Sequence, residues 1–243
     1  MYPDVIERLK RISLTAAKGQ DITITTSQQA QALENCSLSL LGHFLTTKEI
    51  NLWVAKNLLR TIWKLGNDIK IVDVGEGLLL FRFKLESQLR WVQDNGPWNF
   101  NKHNLVLCWW EKGLITQIVS FMHIPLWVQV WGFPFDLLIE ATAQDIDKGL
   151  GTIITVDNIT FNSNQAHFLH IRVEVPLTQT LRCGGPIVHP EGDHSFIAFR
   201  YEQIVGLCYA WGRLGHKMKN CIDPQFDPNS SECPYGDWMK VGL

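Results

Sequence analysis

Residue types able to do chemistry concentrate in the last third of the chain. Glu191-Gly192-Asp193-His194 sets two carboxylates beside an imidazole, a set suited to acid–base or metal work. Its neighbours are Gly184-Gly185-Pro186 and Pro190, so the run reads more simply as a hairpin turn. His167 and His170 are three apart, which on a strand sends them to opposite faces and makes them a poor metal pair. The sequence has no Walker A loop, Rossmann glycine fingerprint, Gly-x-Ser-x-Gly or His-Glu-x-x-His. No catalytic residue is assigned, and the expectation is that the chain is not an enzyme. A different chemistry follows. Arg213, Lys217 and Lys219 stand with no Asp or Glu between Leu207 and Cys221, one positive charge each, in a form able to meet phosphates. Tyr209 and Trp211 lie in the same stretch and carry flat rings able to stack on unpaired bases.

These residues need a scaffold. Residues 5–9 open a short helix, 21–25 alternate like a strand, and the polar stretch 27–34 reads as a linker. Residues 37–45 read as a strand. Thr46 and Glu49 then form a capping box ahead of Ala55, Leu58, Leu59 and Ile62 at helical spacing, with Gly66 as the stop. Residues 69–74 and 78–84 flank the turn Gly75-Glu76-Gly77. Residues 86–95 form a short helix with Leu89 and Val92 inward, Gly96-Pro97 breaks it, and 104–110 return as a strand. The order β-α-β-β-α-β is the ferredoxin-like arrangement that RNA-recognition motifs (RRMs) also use. Strands are expected again at 126–131, 153–156, 168–175 and 196–201, with a helix over 137–148. The fold class is therefore α+β. Residues 1–36 are an N-terminal extension, 37–120 the RRM-like module, 121–203 a second small α/β portion, and 204–243 an irregular tail.

The ordered landmarks resemble a known family. They are Leu78-Leu79-Leu80-Phe81-Arg82-Phe83, Gly96-Pro97-Trp98-Asn99-Phe100, Trp127-Val128-Gln129-Val130 with Pro134, and Ile171-Arg172-Val173. Tyr201-Glu202, Cys208-Tyr209, Gly212-Arg213-Leu214-Gly215-His216, Cys221 and Tyr235-Gly236-Asp237-Trp238 complete the set. The chain is similar to the plant domain of unknown function that precedes a CCHC zinc knuckle in LINE-type retrotransposon proteins and their domesticated relatives. The resemblance implies a gag-like protein that binds single-stranded nucleic acid, with no catalysis in this portion.

It also implies a metal site. The family's knuckle is Cys-x2-Cys-x4-His-x4-Cys, a short loop giving zinc four N/S ligands. Cys208, His216 and Cys221 fall on its first, third and fourth positions, and Trp211 stands on the second. An indole has no lone pair for a metal, so three of four ligands are present. Gly212 and Gly215 stand where the loop needs positive φ. Cys233 is a thiol that could swing in from twelve residues downstream. The bland alternative is a decayed, flexible tail.

An RRM stacks bases on the aromatics of its third strand. Laying that pattern on residues 76–83 puts Leu78 and Leu80 at the stacking positions and Glu76 at the basic one. The expectation is a hydrophobic strand with a covered face. Arg82, Lys84 and Arg90 read as a solvated charged edge. Most of Trp53, Trp63, Trp91, Trp98, Trp109, Trp127 and Trp131 are expected in the core, with Trp98 plugging the sheet end and Trp109-Trp110 pointing to opposite faces.

Bulk properties leave three readings open. Of 243 residues, 46% are hydrophobic and 19% charged, which marks a globular chain. Lys plus Arg is 22 against 24 for Asp plus Glu, so any basic footprint is local. No apolar run reaches the roughly 18 residues of a membrane span, and no apolar signal region follows Met1-Tyr2-Pro3-Asp4. An intracellular site, nucleus or cytoplasm, is expected, where the six cysteines need not be paired. The readings are a nucleic-acid binder, a protein–protein or self-assembly module, and an inert relic of a transposable element.

Overall fold

The computed structural model describes residues 2–13, 15, 19, 21–134, 142, 145–146, 149–157, 167–189, 191–221 and 233–242. Two helices precede the first module, α1 (Tyr2–Lys10) and α2 (Thr26–Ser37). The first was expected. The second falls on the stretch read as a linker, and residues 21–25 form no strand. The Thr25 amide donates to Gln28 Oε1 at 3.4 Å and caps α2, whose Gln, Ala and Glu residues favour helix. Mostly polar and with no residue fully buried, α2 carries no apolar periodicity to betray it.

The first module is a five-stranded antiparallel sheet with strand order β2-β3-β1-β5-β4. Its elements are β1 (Ser39–Phe44), α3 (Leu52–Ile62), β2 (Ile69–Gly75), β3 (Leu78–Phe83), α4 (Glu86–Asp94), β4 (Trp98–Phe100) and β5 (His103–Trp109). The β-α-β-β-α-β order and ferredoxin-like strand sequence are those expected, with β4 as an added edge strand. Helix α3 starts later than expected. Asn51 Oδ1 accepts from the Val54 amide at 3.2 Å, while Thr46 Oγ1 takes the Lys48 amide at 3.1 Å in a separate turn. Asn is the stronger N-cap, so residues 46–50 remain a loop. The helix ends at Trp63, with Lys64 rather than Gly66 first in the left-handed region.

Both faces of this sheet are covered. On one side, Ala55, Leu59 and Trp63 of the α3 region, with Leu89 and Val92 of α4, pack on Leu40, Leu79, Phe81 and Phe83. On the other, Leu41, Leu78 and Leu80 lie under Trp110, Leu114, Val119 and Phe121 of the connection to the second module. Leu78 and Leu80 are 5% and 7% exposed, so the covered strand face expected from the sequence is present.

The second module is a six-stranded sheet, β11-β10-β6-β8-β7, with β9 pairing β10. Its strands are β6 (His123–Trp131), β7 (Thr152–Val156), β8 (Phe168–Pro176), β9 (Gly184–Val188), β10 (His194–Glu202) and β11 (Lys240–Val241). Four were expected, and β9 and β11 were not. The helix expected over 137–148 lies mostly outside the described residues. Alternate residues Leu126, Val128 and Val130 of β6 meet Leu169, Ile171 and Val173 of β8, and Phe199 and Tyr201 of β10, in one core. Ile204, Leu207 and Met239 join that core, and β11 runs parallel beside β10. Residues 204–243, read as an irregular tail, thus contribute strand pairing and buried side chains to the second sheet.

The modules also touch. Val106 of β5 packs in the second core, the buried Asn104 donates its Nδ2 to the Val205 carbonyl at 3.2 Å, and Arg172 Nη2 donates to the Gln93 carbonyl at 2.9 Å. The tryptophans are less buried than expected. Of those singled out only Trp63 is fully inside, and Trp53 is 74% exposed. Trp98 sits at the sheet end against Trp63 and Trp91, its Nε1 donating to the Val92 carbonyl at 2.7 Å. Trp109 is exposed while Trp110 belongs to the covered face.

Candidate metal and nucleic-acid site

The knuckle loop follows the apolar run Ile204-Val205-Gly206-Leu207, whose burial anchors Cys208. The Cys208 amide donates to the Arg213 carbonyl at 2.9 Å, and the Gly212 amide to the Cys208 carbonyl at 2.7 Å, closing a tight turn. Gly212 has φ +62°, and a Cβ there would lie 2.6 Å from the Tyr235 ring. Glycine is required on both counts. The backbone amides of Trp211 and Ala210 point at the Cys208 sulfur.

This folding brings Cys208, His216 and Cys221 together, with their ligand atoms all within 4.8 Å of one another. A tetrahedral zinc with about 2.3 Å Zn–S bonds holds its sulfurs about 3.8 Å apart. The group therefore sits near coordination spacing. Two further observations fit a metal. His216 Nε2 is buried and has no hydrogen-bond partner, and the Cys208 thiol is pushed up by burial, against the two amides, with the Cys221 sulfur adding to the rise. A cation among them would reverse that effect by favouring the thiolate.

The fit is to three ligands. Trp211 occupies the second position, its indole N–H buried and unpartnered, its carbonyl accepting from Thr180 Oγ1 at 3.0 Å. Among the described residues no fourth His, Cys, Asp or Glu joins the group. Cys233 does not swing in, its sulfur lying 3.4 Å from Met218 Sδ.

Around this centre Arg213, Lys217 and Lys219 are all exposed, and among the described residues none forms an ion pair. Tyr209, half-buried, already has partners within the fold. Its hydroxyl donates to Asp237 Oδ1 at 2.6 Å, and Lys240 Nζ lies 4.8 Å above its ring centroid, so it pins β11 to the knuckle. The same contacts hold the Asp237 carboxyl below its usual range, the Tyr209 hydrogen bond first.

Other candidates resolve differently. Lys84 pairs with Asp68 and Arg90 with Glu86, each at 2.6 Å, which neutralises the edge of the first sheet, while Arg82 reaches Cys36. Gly192 turns the β9–β10 hairpin, as expected of the run 191–194. His170 stacks on Trp127, with Nδ1 3.0 Å from Asp157 and Nε2 3.2 Å from Glu202, the latter off the ring N–H axis. A cluster drawn from β6, β8, β10 and the residue after β7 gives no local motif, which is why the sequence did not show it.

Comparison with known proteins bears on this site. Residues 32–118 match the model of a domain of unknown function (DUF4283), and residues 175–223 match the model of a zinc knuckle. The second match begins in β8, well before Cys208. A protein of Arabidopsis thaliana described as uncharacterized is 30% identical over 132 residues, 54% of this chain, and the chain spans 41% of that relative's length. Among solved structures, the N-terminal three RNA-binding domains of the yeast splicing factor Prp24 match at 13% identity and a TM-score of 0.24, over 58% of this chain and 55% of that one. The chain is thus similar to DUF4283 over residues 32–118 and to a zinc knuckle over residues 175–223, and within the second stretch its Cys-His-Cys group is assembled.

Proposed function

We propose that this chain binds single-stranded nucleic acid, RNA or DNA, through the knuckle loop, as a non-enzymatic, gag-like protein of retroelement origin acting inside the cell. The observation that carries the reading is the grouping of Cys208, His216 and Cys221 behind a loop whose three cations are exposed and unpaired among the described residues. Zinc on these three residues would cross-link the loop and fix where Arg213, Lys217 and Lys219 project. Those cations meet phosphates, and the half-buried Trp211 is the ring left to meet a base. The first sheet takes no part, because helices cover one face and the connection 110–121 the other.

The test is fluorescence anisotropy of a short labelled single-stranded RNA at several salt concentrations, with zinc and after chelation. Three phosphate contacts predict a log–log salt slope of about −2 or steeper, at about −0.7 per contact for single strands. Chelation weakens binding. Absence of salt-dependent binding would remove this reading. A second reading, self-association, is supported by the apolar stripe Val54, Leu58 and Ile62 beside Trp53 on the outside of α3. Concentration-dependent sedimentation tests it.

A further inference from the structure

The β1–α3 loop, the β4–β5 turn and the knuckle loop enclose a cleft of about 120 Å³, with room for several waters. Lys48, Lys102, Lys217 and Lys219 line it, along with His103 and His216, and no Asp or Glu does. Of the other lysines, Lys10, Lys84 and Lys240 each pair with a carboxylate, whereas Lys56, Lys64, Lys70 and Lys112 stand apart from one another in the sequence and pair with none among the described residues. Among the described residues none of the four cleft lysines pairs with a carboxylate. Like charges gathered without a counter-charge repel one another, so the arrangement favours an anion.

The local backbone supports the same conclusion. Asn101 and Lys102 form the two-residue turn between β4 and β5 at φ +52° and +64°. Both central positions of such a turn favour Gly or Asn, yet the second carries a lysine in the left-handed region. Gly206 and Gly215, both at positive φ, form part of the wall and leave backbone open to close approach. His103, whose pKa is lowered first by burial and then by Lys48 and Lys217, lies 3.5 Å from Thr46 Oγ1 and offers a hydrogen-bonding ring in the cleft wall.

We propose that this cleft binds a phosphodiester of the nucleic-acid strand that the knuckle engages, with Lys48 and Lys102 of the first module facing Lys217 and Lys219 of the loop. The proposal rests on the nucleic-acid reading and deepens it. It makes the junction of the two modules part of the binding track, and it explains why the knuckle is docked rather than free. A phosphodiester of a continuing strand fits better than a small free anion, because Lys217 and Lys219 belong both to the cleft and to the exposed loop.

The experiment compares the full chain with its Lys48→Gln/Lys102→Gly variant, using labelled oligouridylate RNA from 50 to 200 mM salt. The glycine relaxes a left-handed position, so the thermal midpoint holds or rises. Five contacts in the parent predict a salt slope of about −3.5 and an affinity loss of about 130-fold across that range. The variant, with three contacts, predicts a slope of about −2 and a loss of about 20-fold. If the parent binds and the folded variant shows the same slope, the cleft assignment is wrong and the knuckle reading stands. If the parent does not bind, both fall.

Discussion

Trp211→Cys returns a thiolate to the second position of the knuckle, beside Cys208, His216 and Cys221. Four-ligand structural zinc sites contribute about 10–16 kcal/mol, or about 2.5–4 kcal/mol per ligand if shared evenly. At about 1.4 kcal/mol per tenfold, the fourth ligand tightens zinc binding by about two to three orders of magnitude. The scaffold is ready for it, since the amide of residue 211 already points at the Cys208 sulfur and Gly212 completes the turn. Removing the indole costs little polar bonding, because its N–H is buried without a partner. Competition against a chromophoric chelator measures the affinity, and cobalt(II) spectra report whether the ion becomes four-coordinate. An unchanged zinc affinity in a folded Trp211→Cys protein would refute the reasoning, because it would mean that the three residues are not held for a metal.

Leu80→Ala opens a cavity under the connection 110–121 and costs about 2–5 kcal/mol in urea unfolding, yet leaves the salt slope of RNA binding unchanged, because that face is covered. Gly212→Ala forces a Cβ against the Tyr235 ring at φ +62° and lowers stability by about 1–3 kcal/mol, read as a drop in the denaturation midpoint. His170 makes stability depend on pH. Burial opposes its charge, but Glu202 and Asp157 outweigh burial and raise it above 6.5, so its contribution is full below 6.5 and fades as pH climbs through the raised value. Glu202 is lowered from 4.5, chiefly by the His170 contact, so its share is present above 4.5 and fades as pH falls through the depressed value. Their joint contribution is greatest between about pH 4.5 and 6.5, and His170→Gln removes that part of the pH dependence of the urea midpoint.

Much of the first module was legible because its strands are apolar runs closed by Gly, Pro and Asn, and the leucines at 78 and 80 already argued against an open stacking face. The misses share a cause. Helix α2 and the edge strands β4, β9 and β11 bury little or are very short, so they leave weak periodicity. Strand β9 begins Gly184-Gly185-Pro186, which reads as a turn until its pairing with β10 is seen. The Thr46 capping box was a sound local signal overruled by Asn51 five residues later. At the site, the Cys-His-Cys grouping was readable because a short loop supplies all three. The partners of Tyr209 were not legible, because Asp237 and Lys240, which meet its hydroxyl and one face of its ring, lie about thirty residues downstream. The basic cleft was hidden for the same reason, its lysines coming from three separate loops.

The central claim is tested most directly by amide chemical-shift mapping of the zinc-loaded chain titrated with a short single-stranded RNA. The account predicts salt-sensitive shifts at residues 209–221 together with 46–48 and 101–103, while Leu41, Leu78 and Leu80 stay still. Shifts centred on the strands of the first sheet, or none at any RNA concentration, would contradict it.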